Sequence, residues 1–377
     1  MRFGDHAHYR ILIVGAGLAG LALARALGQA GFRPELIEGQ AGWEVAGTGM
    51  YLPANGVRAL RALDLEAAVA ARAARIPHQR LLDHRGRLLA HIDLHRLWGD
   101  VGSCLALTRA DLHEILREGV AVRMGETVRS LDRLDGPVHA TLDDGSSGDF
   151  DLVVGADGLR SAIRRLAVDP RPPVPVGQHS WRFLARCPPQ VTTWTVLLGQ
   201  EGSFLTVPVG QGLVYCYADI TTDSLAGDDL DGDPVGHLRQ RFAGFAAPVP
   251  QLLEQLQDPA RIHVAPIEQV AEERWGRGAV VLVGDAAHGM SPNMAQGAAL
   301  AFEDALVLAA CLRDAATVTD AVATFVARRS RRTGWVRAQT HRRDQTRNLP
   351  PMLRDLTLRA FGRQIFRANY RPLLEPI

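Results

Sequence analysis

Apolar patterning begins at Ile11-Leu-Ile-Val14, an unbroken hydrophobic run of strand length that Gly15 ends. From Leu18 to Ala30 alanine and leucine dominate, which predicts a buried helix closed by Gly31. A second strand follows at Pro34 to Glu38, so the chain opens as a βαβ unit with a parallel sheet and a right-handed crossover. Further helices are predicted at Asn55 to Arg75, Arg109 to Glu118 and Gln296 to Leu312. Two later runs, Asp151-Leu-Val-Val-Gly-Ala-Asp157 and Ala279-Val-Val-Leu-Val-Gly-Asp285, read as buried strands ending in an aspartate corner. Between them the pattern changes. Asp169 to Val176 is Pro-rich and reads as a crossing linker. After it, Ser180 to Ala185, Thr192 to Leu198, Ser203 to Val209 and Leu213 to Ile220 have the composition of antiparallel strands separated by Gly-containing turns. The acidic stretch Ala226 to Asp233 is expected to be an exposed loop. No internal repeat is visible. The elements predict an α/β protein: a Rossmann-like domain with a parallel sheet, an inserted β-rich domain and a helical C-terminal tail.

Composition narrows the function without naming it. The 377 residues can bury a full core, and 47% hydrophobic with 22% charged residues is ordinary globular usage. A formal charge of +1 gives no reason to expect nucleic acid or an anionic membrane as the main partner. All 42 of the lysine-plus-arginine positions are arginine, which excludes Schiff-base and Walker-type lysine chemistry. The tail from Ala327 concentrates arginine at Arg328, Arg329, Arg331, Arg332, Arg337, Arg342 and Arg343, which reads as a solvated helix face. Cys104, Cys187, Cys216 and Cys311 are far apart and form no CxxC pair, which suits a reducing compartment. Met1 to Arg10 is polar and lacks a signal-peptide layout, and the apolar stretch Ile11 to Leu27 carries three glycines and Arg25. A cytoplasmic protein with no membrane span, monomeric or homodimeric, is expected.

Gly15-Ala-Gly17-Leu-Ala-Gly20 has the spacing G-x-G-x-x-G between the first strand and the first helix. Gly15 permits the tight turn, Gly17 lets a diphosphate approach the backbone, and Gly20 lets helix and strand pack closely. The helix start, with Leu18 and Ala19, offers unpaired N–H groups to phosphate. Glu38 ends the second strand 18 residues beyond Gly20, where a carboxylate can accept both ribose hydroxyls of an adenosine. Together these signals specify a dinucleotide and leave open which one.

Five further segments, in the family's order along the chain, carry a family resemblance. Gly155-Ala-Asp157-Gly158-Leu-Arg-Ser161-Ala-Ile-Arg164 and Gly284-Asp285-Ala-Ala-His288-Gly-Met-Ser-Pro292 resemble signatures of the aromatic-hydroxylase (p-hydroxybenzoate hydroxylase-like) flavoprotein monooxygenases. Gly49 to Leu60 is similar to the segment entering that family's second helix, and Arg109-Ala-Asp-Leu112 to its Arg-x-x-Leu helix; Glu303-Asp304-Ala305 matches its Glu-Asp-Ala. The resemblance runs from about Arg10 to about Arg343. It implies non-covalent FAD, with NAD(P)H as reductant, and an FAD-binding domain formed by 1–75, 101–172 and 268–340. The β-rich substrate domain would comprise 76–100 and 173–267, and 341–377 a C-terminal helical segment.

By the same resemblance Asp285 would bond the ribityl chain, Arg109 the ribityl–diphosphate region, and Asp157 would lie near the diphosphate. Val128 would touch adenine through its backbone, and Pro292 would lie beside the isoalloxazine. Gln296, Gly297 and Ala298, at the start of a helix, would face the flavin N1–C2=O edge, where a helix N-terminus stabilises the anion of reduced flavin. Turn or N-cap chemistry is the competing role for both aspartates.

Two departures stand out: Gly39 replaces an arginine common in relatives, and Ala295-Gln-Gly297-Ala-Ala299 replaces Gly-x-Gly-x-Asn. The implied reaction is oxygen transfer from a flavin C4a-hydroperoxide, formed with O2, to an aromatic or polyketide-like small molecule. Epoxidation, Baeyer–Villiger insertion and a non-redox FAD-binding cyclase or scaffold share this cofactor module. A halogenase is disfavoured by the lack of lysine and of a W-x-W-x-x-P string. The inserted strands should floor the substrate pocket, which makes Trp181, Arg182, Phe204, Tyr215 and Tyr217 its candidates; Arg182, Tyr215 and Tyr217 are the catalytic ones. Tyr215 and Tyr217 share one strand face. His91 and His95 lack H-E-x-x-H chemistry, so no metal site is expected.

Overall fold

The computed structural model describes residues 9–43, 48–222, 233–271, 274–347 and 349–377. The expected loop at 226–232 and the first eight residues lie outside them. Ile11–Val14 is the hub of a six-stranded sheet, parallel to Glu35–Glu38 on one side and to Leu152–Gly155 on the other. Leu152–Gly155 pairs in parallel with Val280–Leu282, so both aspartate corners follow strands that lie side by side. All four residues of Ile11–Val14 are buried, as a central parallel strand covered on both faces requires. The helix Leu18–Gln29 ends where Gly31 takes φ +92°, a left-handed closure that glycine adopts without a Cβ penalty.

A seven-stranded sheet forms the second half, in the order His263–Gln269, Val174–Arg186, Leu213–Thr221, Gly202–Pro208, Trp194–Leu198, His78–Asp83 and Leu88–Asp93. Its strands are antiparallel except that Trp194–Leu198 runs parallel to His78–Asp83. Trp181, Phe183, Phe204, Cys216 and Ala218 form one face, sealed by helices Pro234–Phe242 and Val249–Glu254. Leu184, Val196, Leu205, Val207 and Tyr215 form the other and share a core with Ala54, Ala106, Met294 and Leu300 of the nucleotide-binding half.

Several expectations are corrected. Asn55 to Arg75 is two helices, Ala54–Ala62 and Glu66–Arg72, followed by the short strand Ala74–Arg75. The break falls at Asp64, whose φ of +60° no α-helix accommodates. The Pro-rich linker becomes strand from Val174 onward, because its prolines fall at the start of that strand. The arginine-rich tail is not a solvated face. Arg328, Arg331 and Arg342 are exposed, but Arg329 is fully buried and Arg332, Arg337 and Arg343 turn inward on helix Val318–Arg347.

Arg329 anchors a buried ion cluster. Its guanidinium donates to Asp304 (2.7 Å), Glu303 (2.9 Å) and the Leu300 carbonyl (3.1 Å). Glu303 also accepts from Arg332 (2.8 and 2.9 Å) and from Asn55 (3.0 Å). Arg332 and Arg58 reach on to the carbonyls of Leu373, Leu374 and Glu375, tying the last residues of the chain to the same cluster. Arg329, Arg332, Glu303 and Asp304 each have a hydrogen-bonded counter-charge, which offsets the cost of burying them, while Arg58 is held by backbone carbonyls.

Removing one member leaves its partners charged and buried. Arg329→Met is expected to cost about 3–5 kcal/mol, read by denaturant unfolding; a loss under 1 kcal/mol would refute the assigned role. His288 donates to the Asp304 carboxylate at 2.7 Å. Burial is the largest influence and pulls the His288 pKa down, but the Asp304 charge, the hydrogen bond to it and the Asp285 charge together outweigh it, and the net shift is upward. The raised pKa adds stability that is present in full below about pH 6.5 and is lost as pH rises through the folded value. Unfolding free energy should therefore decline over that range in the wild type and stay flat in His288→Gln.

Candidate functional site

The glycine turn is shaped by contact on one side and openness on the other. A Cβ on Gly15 would lie 2.6 Å from the Ala156 carbonyl oxygen and 2.8 Å from the Asp157 Cα, so the turn rests directly on the second corner. A Cβ on Gly20 would overlap the Gly15 carbonyl. At Gly17 the same construction meets no atom within 4 Å. Gly17 caps the helix with no side-chain bond, so the first-turn N–H groups of Leu18 and Ala19 point into open space. That is a cradle for an anion bound through backbone N–H groups.

Glu38 closes one end of the cradle. Its carboxylate accepts from the Ala16 N–H (2.8 Å) and the Gln40 N–H (3.0 Å), leaving further lone pairs for hydroxyl donors. Segment 125–128 is brought beside it: Glu126 N–H bonds the Glu38 carbonyl (2.9 Å), and Thr127 lies 3.8 Å from the Cβ position of Gly39. Val128, the next residue, is buried. Asp157 is turned away from the cradle, accepting from Ala162 N–H (2.6 Å) and Ile163 N–H (3.2 Å). Burial raises its pKa against the pull of those bonds. The side chain therefore caps the turn while its backbone supports Gly15.

At the other end, Gly284 takes φ +60°, and a Cβ there would lie 2.8 Å from Ala19 Cβ. Asp285 follows and is exposed, its Oδ1 3.7 Å from the Cβ position of Gly297. Helix Gly297–Asp314 thus starts beside Asp285, with no side-chain cap and no acid in its first turn. Pro292 and Gly297 are exposed and Ala298 half-buried along this opening. Gln296 is turned inward, accepting from Asn55 (3.0 Å), so its backbone faces the opening and its side chain does not. The family departures have packing consequences: the methyl of Ala299 would sit 2.9 Å from a Cβ on Gly56, and Ala295 takes φ +49°, the left-handed region.

The substrate-domain candidates separate by face. Trp181 and Phe204 lie on the back of the sheet, in its helix-covered core, because their strand positions alternate with those of Arg182 and Leu205. Arg182, Tyr215 and Tyr217 lie on the face toward the nucleotide-binding half. The Arg182 guanidinium sits 5.6 Å from the Tyr217 ring centroid, and its Nε is buried without a hydrogen-bond partner. Burial pushes Tyr215 up to about 12, against the pull of Arg182 and Arg109. Tyr215 fits against Gly49, where any Cβ would collide with its ring. Arg109, held by its N–H to the Thr48 carbonyl (2.8 Å), is exposed on this side.

Sequence reasoning missed four participants. His263 lies directly across from Arg182 on the edge strand His263–Gln269, whose irregular polar pattern gave no alternation to detect. Tyr51 packs on Trp194, ring centroids 4.4 Å apart. Tyr370 donates to the Met294 carbonyl (3.0 Å) and Arg343 to the Asn293 carbonyl (2.7 Å), so the C-terminal helices clamp the 291–295 loop. Nothing in local sequence marks these long-range bonds. Among the described residues no group of His, Cys, Asp or Glu is arranged to hold a metal ion.

An open glycine turn at a helix start, a carboxylate with spare lone pairs and a second uncapped helix start beside an aspartate could together hold one extended dinucleotide. A family model for an FAD binding domain matches residues 8–337. The chain belongs to the aromatic hydroxylase-type FAD-dependent monooxygenases. This monooxygenase is 34% identical to an aurachin C monooxygenase/isomerase of Stigmatella aurantiaca, over 85% of each chain. It is 34% identical to a 2-heptyl-3-hydroxy-4(1H)-quinolone synthase of Pseudomonas aeruginosa, over 79% of each. The crystal structure of Klebsiella pneumoniae HpxO complexed with FAD and uric acid superposes with a TM-score of 0.90 at 25% identity, over 100% of both chains. The enzyme binds FAD, and NAD(P)H is the reductant typical of the family.

The two glycines test the cradle separately. Gly17→Ala should melt within about 2 °C of wild type yet lose FAD affinity at least tenfold in a flavin titration, because its methyl enters the open cradle. Gly20→Ala should lose about 1–3 kcal/mol of stability, since backbone must move. Equal FAD affinity in Gly17→Ala and wild type would contradict the placement.

Proposed function

We propose that the enzyme hydroxylates a small electron-rich aromatic or heteroaromatic ring that carries an acidic oxygen, using NAD(P)H and O2. The observation that supports this most is the cofactor-side face of the seven-stranded sheet, where Arg182, Tyr215, Tyr217 and His263 gather beside an apolar wall of Leu184, Val196 and Leu205. Bound FAD supplies the electrons and the activated oxygen. The chain supplies the rest. Arg182 holds the substrate oxyanion with a charge-assisted bond through its unpartnered Nε. His263 takes the proton: burial, then the charges of Arg182 and Arg109, lower its pKa, so the imidazole is neutral and basic near pH 7. Tyr215 stays protonated at any working pH and can donate to a substrate oxygen. The apolar wall keeps water from the reacting centre.

The relatives named for a quinolone and crystallised with uric acid are proteins whose names and ligands fit this class of ring. Epoxidation of an alkene needs no cationic partner for a substrate oxyanion, and a non-redox scaffold needs none of these groups. In the FAD half, Gly15, Gly17, Leu18, Ala19 and Gly20 would hold the diphosphate, with Glu38 and Val128 at the adenosine end. Arg109, Asp285, Pro292, Gln296, Gly297 and Ala298 would surround the flavin end, and Asp157 would support the turn. All four cysteines are free thiols, as a reducing cytoplasm maintains them.

NADH and NADPH oxidation under air should be stimulated by hydroxypyridines, hydroxyquinolines or phenols, with a product one oxygen atom heavier by mass spectrometry. Arg182→Gln should raise KM for ionised substrates by about 10–100-fold and leave neutral analogues little changed. A panel that draws no substrate-stimulated oxidation at all would sink this reading.

A further inference from the structure

The C-terminal helix Pro351–Tyr370 has four i,i+4 rows with different characters. The row Arg354, Leu358, Gly362, Phe366 and Tyr370 faces the protein: Arg354, Gly362, Phe366 and Tyr370 are buried, and Gly362 approaches Ala90 so closely that a Cβ would lie 2.8 Å away. Two adjacent rows are largely apolar and mostly exposed, with Gln364 the polar member of one and Thr357 and Asn369 of the other. Met352 and Leu356 are 88% and 66% exposed in one, and Phe361 is 58% exposed in the other beside Leu353 and Ile365. Five of the ten exposed large hydrophobic residues in the described chain lie on this one helix, so the patch is not scattered background.

The remaining row carries Asp355, Arg359, Arg363 and Arg367. Asp355 is already paired with Arg354 at 3.0 Å. The three arginines are exposed, and among the described residues no carboxylate pairs with them. The near-zero charge of the whole chain hides this local excess. An apolar surface edged by unneutralised arginines matches the interface of an anionic bilayer, where apolar side chains enter the acyl boundary and guanidinium groups bind headgroup phosphates. Self-pairing fits poorly, because the same face of a second copy offers no carboxylate to neutralise the arginines: its one acid, Asp355, is already paired with Arg354. Among the described residues no helix is long and apolar enough to cross a membrane, so the contact would be one of lying on the surface. We propose that this helix docks the enzyme on anionic lipid surfaces.

The FAD-loaded protein should co-sediment with vesicles of phosphatidylcholine mixed with phosphatidylglycerol, weakly with phosphatidylcholine alone, and less as salt is raised. The triple variant R359Q/R363Q/R367Q should partition about a hundredfold less, since each basic group contributes about fivefold at an anionic surface. L356E/F361E should abolish binding while keeping the wild-type flavin spectrum and melting temperature. The proposal is overturned by no sedimentation with either vesicle, by equal binding to both, or by either variant binding as wild type does. A wild-type dimer that L356E/F361E dissociates would show instead that a second copy covers the face.

Discussion

The carboxylate of Asp304 is the contact on which the rest depends. It accepts from the Gly284 N–H at 3.0 Å, bonds His288 at 2.7 Å and receives the Arg329 guanidinium at 2.7 Å. Those three partners belong to the Asp285 corner, the turn after it and the arginine helix. Asp304 itself stands in the helix that begins beside Asp285. One buried charge therefore sets the position of Asp285 relative to the start of helix Gly297–Asp314. A neutral residue would leave His288 without its counter-charge and Arg329 with Glu303 alone, so the geometry and the charge balance are one constraint.

Around that constraint, close approaches depend on missing side chains. Gly15 lies on Ala156, Gly284 on Ala19, Gly56 on Ala299 and Gly49 on Tyr215. Only the last of these joins the half built on the six-stranded sheet to the seven-stranded sheet, and it seats Tyr215 at that junction. The site is also electrostatically consistent. Helix starts offer uncapped N–H groups in one half, and Arg182 with Arg109 puts positive charge on the sheet face opposite, so both regions carry the same sign of potential.

The family departures carry a cost that is met locally. Ala295 in the left-handed region costs about 1 kcal/mol relative to glycine, and the loop it belongs to is held by Tyr370 and Arg343 from the C-terminal helices. Ala299 replaces a polar side chain with a methyl that fills the space above Gly56. These substitutions exchange loop freedom for a clamp supplied by distant parts of the chain.

The βαβ opening, the glycine turn, Glu38 and the two aspartate corners were legible because each depends on residues adjacent in the chain. An apolar run, a glycine at a required φ and an acid at a strand end are local properties, and they carried the family resemblance with them. The break at Asp64 escaped because a strongly apolar helical pattern continues through it. The inward turn of Arg329 and Arg332 escaped because burial of an arginine is decided by which carboxylates lie opposite, some 25 residues or more away. Asp157 showed both readings at once, capping a turn with its side chain and supporting Gly15 with its backbone. Alternation grouped Tyr215 with Tyr217, but which sheet face the helices cover is a property of packing. The sequence by itself determined the cofactor module; only the tertiary structure decided which substrate-domain residues look at it, because a strand's period of two names two faces and long-range contact chooses between them.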